Sequence, residues 1–277
     1  MLLIDSSDDA ALSDYCNLTD AASARSGFFI VEGVLAVQQL LNRETGRDPS
    51  PIRSVLLTPN RAETLTDTID LCERSGIAVL VASRDVLIHV TGFDVHRGVL
   101  ASVNRTEQPP LESILEGTQR LVLLEGINDH ENIGSIFRNA AALGVDAVLV
   151  DARTSDPLYR RSIRVSQGHV LSTPWCRVEN LDTALQQVRD TGFRLVGLTP
   201  DAQAREVGTA ASQGTLDSPV AFVLGAEGPG LTAETLQFCD ALVRIPMSNG
   251  VDSLNVATSL AVVASFAIAR SSEQLAP

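Results

Sequence analysis

Five short apolar runs, set apart by turn formers and by stretches with helical spacing, constrain this chain more than any other feature. They fall at 120–124, 147–150, 193–198, 220–224 and 242–245. Between them the sequence predicts helices over 133–143, 181–191 and 233–238. A strand that is apolar at nearly every position has both faces covered, which points to a mostly parallel sheet with helices on each side. In such sheets ligands bind beyond the carboxyl ends of the strands, where each loop leads into the next helix.

A smaller alternation precedes this one. Strands are predicted at 28–31, 52–57 and 77–81, the second ended by Pro59-Asn60, with helices over 33–42 and 65–75. In the first helix Val34, Val37, Leu40 and Leu41 share a core-facing stripe, so the pattern is that of a small α/β/α layer domain. Pro109-Pro110 interrupts the chain between the two alternations. We therefore divide it into a front domain at 1–105, a linker at 106–117 and a second domain at 118–277.

Composition narrows the function. The net charge is −13, and all 21 basic residues are arginines. That disfavours a broad, nonspecific DNA or membrane binder, while a local arginine patch can still grip phosphates. The acidic, mixed start has no leader-like pattern, and the low-charge stretch at 256–269 is short for a membrane span, so a cytoplasmic protein is expected. Cys16, Cys72, Cys176 and Cys239 lie far apart, which suits reduced thiols better than a metal knuckle.

Three polar segments stand at strand ends. The first, NDHENIGSIFRNAAAL, covers 128–143. Asn132 and Gly134 can shape the turn, Asn132 can cap the following helix, and Arg138 falls about one helical turn after Gly134. A guanidinium there can orient a phosphate or stabilise charge on a reacting hydroxyl. The plain alternative is an exposed arginine on a helix. His130 and Glu131 are adjacent with no compact ligand set, so surface roles are expected of them.

The second segment is FVLGAEGPGL at 222–231. Leu224 ends a strand, and the glycines at 225, 228 and 230 let the backbone bend or approach a ligand closely. Glu227 can hold the loop or face a reacting site; a purely structural turn is the alternative. No phosphate-binding Gly-x-x-x-x-Gly-Lys-Ser/Thr loop is present, which disfavours ATP chemistry. The third segment, IPMSNGVDSLN at 245–255, precedes a long small-and-apolar run. Ile245 and Leu254 offer apolar contacts, while Ser253 and Asn255 can orient a substrate, fix the loop or cap the helix. Ser253 is not in a nucleophile elbow.

In order and setting, residues 132–140, 224–231 and 245–255 resemble the three motifs of the SpoU/TrmH branch of the SPOUT RNA methyltransferases. The resemblance covers about 121–269. FFIVEG at 28–33 and GFDVHRGVL at 92–100 are similar to the L30e-like substrate-binding domain often fused to these enzymes. The resemblance implies an α/β protein: a C-terminal SPOUT domain with a parallel sheet and a deep trefoil knot, preceded by a smaller L30e-like α/β domain. It implies S-adenosylmethionine-dependent methyl transfer to a ribose 2′-hydroxyl of structured RNA by a homodimer, with no metal. The two-domain arrangement slightly favours ribosomal over transfer RNA.

By the same resemblance Leu224, Gly225, Ile245, Met247, Ser253 and Leu254 would contact the cofactor. Arg138 would position the target phosphate and favour the developing 2′-oxyanion. Asn132 would maintain its motif loop and contact RNA or a neighbouring subunit, and Glu227, Ser253 and Asn255 would organise the acceptor and cofactor loops. The third motif often reads Ile-Pro-Met-x-Gly, whereas Asn249 stands here with Gly250 one place later; Ser166-Gln167-Gly168-His169 replaces a more compact Ser-x-Gly-Ala-like stretch. Arg153, Arg160, Arg161 and Arg164 form a basic interval for RNA, with Tyr159 able to stack on a base and Arg97 a further contact. A salt-bridged, solvated loop is the alternative for that interval. An RNA-binding protein that keeps the fold without efficient transfer is the alternative for the whole chain.

Overall fold

The computed structural model describes residues 1–16, 18–44, 51–93, 95, 98–248 and 250–274. The chain forms two compact units: Met1–Glu107 with Pro157–Ser172, and Gln108–Asp156 with Thr173–Pro277.

The first unit is built on a five-stranded sheet of β1 (Leu2–Ile4), β2 (Phe28–Glu32), β3 (Ile52–Leu57), β4 (Ala78–Ala82) and β5 (Val99–Asn104). Their order is β1-β4-β3-β5-β2, with β1 and β3 parallel to β4, and β5 antiparallel to both its neighbours. The predicted strands at 28–31, 52–57 and 77–81 are β2, β3 and β4. Strands β1 and β5 escape pattern reading: β1 has three residues, two of them exposed, inside an acidic start, and in β5 the small Ala101 and polar Ser102 interrupt the apolar run. Pro59-Asn60 does more than end a strand: it opens the helix Pro59–Thr64. Proline suits a first helical position, since its missing N–H has no partner there in any case. The helix Val34–Glu44 buries Val37, Leu40 and Leu41 as its spacing predicts.

The core of this unit gathers Ile30, Leu56, Leu80, Leu87 and Leu100 around Tyr15. The Tyr15 hydroxyl bonds Ser54 O at 3.0 Å and Ser54 Oγ at 2.8 Å, and burial raises its pKa above the usual tyrosine value. The inserted segment adds the short helices Arg160–Val165 and His169–Ser172. Buried Glu32 faces Arg164 Nη1 at 3.5 Å and Arg160 Nε at 4.0 Å, and the Arg160 guanidinium lies 4.0 Å from the Phe93 ring centroid. Gly168 has φ +90°, and a Cβ there would stand 2.9 Å from Ala36 Cα, so glycine is required by both conformation and space.

The second unit carries β6 (Arg120–Glu125), β7 (Ala147–Asp151), β8 (Trp175–Val178), β9 (Arg194–Leu198), β10 (Arg205–Glu206), β11 (Val220–Gly225) and β12 (Ala241–Arg244). The order is β10-β12-β9-β11-β6-β7-β8 and every adjacent pair is parallel. All five predicted strands are present. The two missed are the edges, β8 and the two-residue β10, which lack a continuous apolar run. Leu121, Val122, Leu123 and Leu124 are each fully buried, so helices cover β6 on both faces. One face packs Leu123, Leu149 and Val223 against Leu185 and Val188. Among the described residues no helix is long and apolar enough to cross a membrane.

Candidate functional site

The carboxyl ends of β9, β11 and β12 open onto a cavity of about 530 Å³. Leu198, Leu224, Val243, Ile245 and Leu254 give it apolar surface; Thr199, Glu227, Asp252, Ser253 and Asn255 supply polar groups. Gly225, Met247 and Pro200 complete much of the wall. All six residues expected at a cofactor thus line one space, although they come from two distant segments. Leu198, Thr199 and Pro200, at the end of β9, are additions that sequence reading missed. Their signal is weak: the sequence predicts β9 as a strand, yet nothing in its exit marks a binding loop.

Two local features hold the cavity open. At the end of β11 the chain turns back on itself, with Gly230 N–H donating to Ala226 O at 2.9 Å. A Cβ on Gly225 would collide with the backbone of Gly230 and Leu231. Glycine is needed at 225 by this chain crossing, independent of any ligand. The second feature is Asn255, whose side chain is fully engaged. Its Oδ1 accepts from Ala257 N at 3.0 Å and Thr258 N at 3.2 Å, capping the helix Val256–Gln274. Its Nδ2 donates to Asn132 Oδ1 at 2.7 Å and to Glu227 Oε1 at 2.9 Å. One amide therefore joins all three polar segments.

Asn132 does not cap its helix. The helix runs His130–Ala142, and Asp129 is the cap, accepting from Glu131 N at 2.6 Å and Asn132 N at 3.1 Å. Asn132 and Gly134 are thus inside the first turns, because an aspartate three residues earlier is an equally good cap and directly precedes the helix. Asn139, seven residues on and so on the same helix face, donates to Ala257 O at 2.8 Å. The two asparagines dock this helix on Val256–Gln274. Arg138 lies six residues from Asn132, about 120° around the helix and about 9 Å along it. It is exposed, makes no hydrogen bond or ion pair among the described residues, and does not line the cavity of its own chain.

The expected RNA-contacting arginines have divided surroundings. Arg97 lies outside the described residues, as does Asn249. Arg153 pairs with Glu125 at 2.8 Å and Asp151 at 3.1 Å, two buried carboxylates, while 62% of its own side chain stays exposed. Arg160 and Arg164 face Glu32 as described, and Arg161 is exposed. His169 is half-buried at the start of its short helix. Glu125 and Asp151 were not singled out in the sequence, yet they anchor the loops. Glu125 also accepts from Thr232 N at 3.1 Å, and Asp151 accepts from Gly126 N at 2.9 Å and Thr154 N at 2.8 Å. Burial alone would raise the Asp151 carboxyl, but bonds from the Thr154 hydroxyl, Gly126, Arg153 and the Thr154 N–H outweigh it and hold the group below the usual carboxylate range.

Residues 119–265 match the model of the SpoU rRNA Methylase family, and 30–109 match RNA 2′-O ribose methyltransferase substrate binding. The chain belongs to the SpoU methylase family. It is 40% identical over 276 residues to an uncharacterized tRNA/rRNA methyltransferase of Mycobacterium tuberculosis, covering 98% of this chain and 92% of that protein. It is 34% identical over 219 residues to a 23S rRNA (guanosine-2′-O-)-methyltransferase of Nitrosomonas europaea, covering 77% of this chain and 82% of the relative. In fold it is similar to an rRNA methyltransferase from Sinorhizobium meliloti, with a TM-score of 0.80, 21% identity and 99% of each chain covered. It is also similar to the SpoU methyltransferase AviRb from Streptomyces viridochromogenes, with a TM-score of 0.77, 24% identity, and 96% and 99% of the two chains covered.

The two family matches are those of an RNA 2′-O-ribose methyltransferase. The cavity has the size and make-up that would fit a nucleoside cofactor such as S-adenosylmethionine. Cavities for small molecules run from about 300 to about 1,000 Å³ and combine apolar walls with a few polar groups, as this one does. Among the described residues no cluster of His, Cys, Asp and Glu could hold a metal ion.

Proposed function

We propose that the chain methylates a ribose 2′-hydroxyl in structured ribosomal RNA, acting as a homodimer in the cytoplasm. The observation that carries the reading is the single amide of Asn255, which ties Asn132, Glu227 and the cofactor loop into one constellation. Leu224, Gly225, Ile245, Met247, Ser253 and Leu254 would hold S-adenosylmethionine, which when bound supplies an activated methyl group. The protein's own work is then alignment and electrostatics. Glu227, fixed by Asn255, orients the acceptor side; Ser253 lines the same cavity. Arg138 stabilises charge on the 2′-oxygen as its proton leaves.

The dimer is supported by Arg138, which is exposed and does not line the cavity of its own chain; in this reading a second copy brings it to the reaction. The deep trefoil knot belongs to the same reading; it is supported by the return of Val256–Gln274 onto the helix His130–Ala142 after β12 has been laid beside β9. The cytoplasmic setting accords with four free thiols. Arg161, Arg97 and the exposed part of Arg153 are the proposed phosphate contacts. Ribosomal RNA is favoured by the relative that acts on 23S rRNA, which matches most of this chain.

The test is transfer of labelled methyl from S-adenosylmethionine into separate ribosomal and transfer RNA pools, with nucleoside analysis. A 2′-O-methyl nucleoside in the ribosomal pool, sharply reduced by Arg138→Ala, is expected. Label confined to transfer RNA would overturn the substrate class, and retained activity in the variant would overturn the role of Arg138.

A further inference from the structure

The charge of the cavity is one-sided. Among the described residues lining it, the ionisable side chains are Glu227 and Asp252, both acids, with no arginine or histidine. Glu227 is engaged by Asn255. Asp252 is exposed at the wall next to Ser253 and makes no hydrogen bond or ion pair among the described residues.

We propose that Asp252 is a specificity-determining residue that favours the positively charged methyl donor over its neutral, demethylated product. The inference rests on the methyltransferase reading above. S-adenosylmethionine carries a sulfonium charge, whereas S-adenosylhomocysteine has a neutral thioether. Their adenosine and amino-acid ends are the same. The apolar wall and the loop hydrogen bonds therefore hold both about equally, and one charge and one methyl group separate them. A carboxylate on the wall attracts the charged form and has no such hold on the neutral one. Among the described residues no base pairs with Asp252, so its charge at the cavity wall is screened by solvent and not cancelled by an ion pair. The effect eases exchange of product for donor after each turnover.

Calorimetric titration of the full chain with three ligands tests this: S-adenosylmethionine, S-adenosylhomocysteine and sinefungin, which places an amine where the donor has its charged centre. Asp252→Asn should weaken S-adenosylmethionine and sinefungin by about threefold to tenfold and change S-adenosylhomocysteine by less than about twofold. Asp252→Glu should restore much of the preference. Added salt should narrow the gap between charged and neutral ligands in the parent protein and leave the Asn variant little changed. Equal weakening of all three ligands would make Asp252 a loop-shaping residue and overturn the proposal, as would no weakening of any. If sinefungin follows S-adenosylhomocysteine, the methyl group and not the charge is being read, and the proposal also fails. Failure of all three to bind the folded parent protein would overturn the cofactor reading itself.

Discussion

Asn255 has no spare hydrogen-bonding capacity, and that makes it informative. Asn255→Asp keeps the oxygen that caps the helix but replaces the donor to Asn132 and Glu227 with a second carboxylate oxygen. Methyl transfer should fall by about a hundredfold through misplacement of Glu227, while thermal stability changes little. Asn255→Ala should lose transfer and also about 0.5–2 kcal/mol of stability from the missing cap. Full transfer activity in Asn255→Asp, with Tm lost only in Asn255→Ala, would reduce Asn255 to a helix cap. Arg138→Ala should behave in the opposite way. The side chain is exposed and unpaired among the described residues, so stability should stay within about 0.5 kcal/mol. If it meets the developing oxyanion, kcat should drop by about 10²–10³-fold.

Loops at the strand ends are held by a few decisive contacts. Gly225→Ala places a methyl group in the backbone of Gly230 and Leu231, and the turn must open to accept it. We expect about 1–3 kcal/mol of destabilisation in chemical denaturation and loss of S-adenosylmethionine binding, since Gly225 lies on the cavity wall. Asp151 plays the corresponding part after β7. Its carboxyl is held below the ordinary range in the folded state, so it contributes stability above its unfolded pKa and loses it as pH falls through the folded value. Asp151→Asn should cost about 1–3 kcal/mol at neutral pH and flatten the acid limb of a Tm-against-pH curve. An unchanged acid limb would show that other carboxylates govern it.

At the scale of the whole molecule, the separation of Arg138 from its own cavity predicts complementation. Arg138→Ala and Asn255→Ala are each expected to be nearly inactive alone. Co-expressed, they should form mixed dimers with one site that has an intact cavity from the first chain and an intact arginine from the second. Recovered transfer measures that shared site; light scattering that finds an active monomer would overturn it. The acidic net charge makes a related prediction. With few basic contacts, RNA affinity should fall less steeply with salt than for a protein whose whole surface is basic.

Much of this was legible in the chain itself. Continuous apolar runs fixed the five inner strands of the second unit, because a strand covered on both faces has no polar positions to confuse the pattern. The cavity loops were legible as glycine- and proline-marked exits from two of those strands. Edge strands β1, β8 and β10 were not, since a short strand with one solvated side leaves little apolar periodicity, and inner strand β5 was not, since Ala101 and Ser102 interrupt its apolar run. The same limit hid Thr199, which joins the cavity through the position of β9 beside β12 and not through any local motif. Tertiary structure alone decided which groups would be spent on each other. Arg153, Arg160 and Arg164 read in sequence as phosphate contacts or as a salt-bridged loop, and buried Glu125, Asp151 and Glu32 pair with them. Burying a carboxylate demands a partner, and the identity of that partner depends on distances that span up to 132 residues of chain. Residue types thus determined what chemistry the chain has available; packing determined which of it faces the cavity.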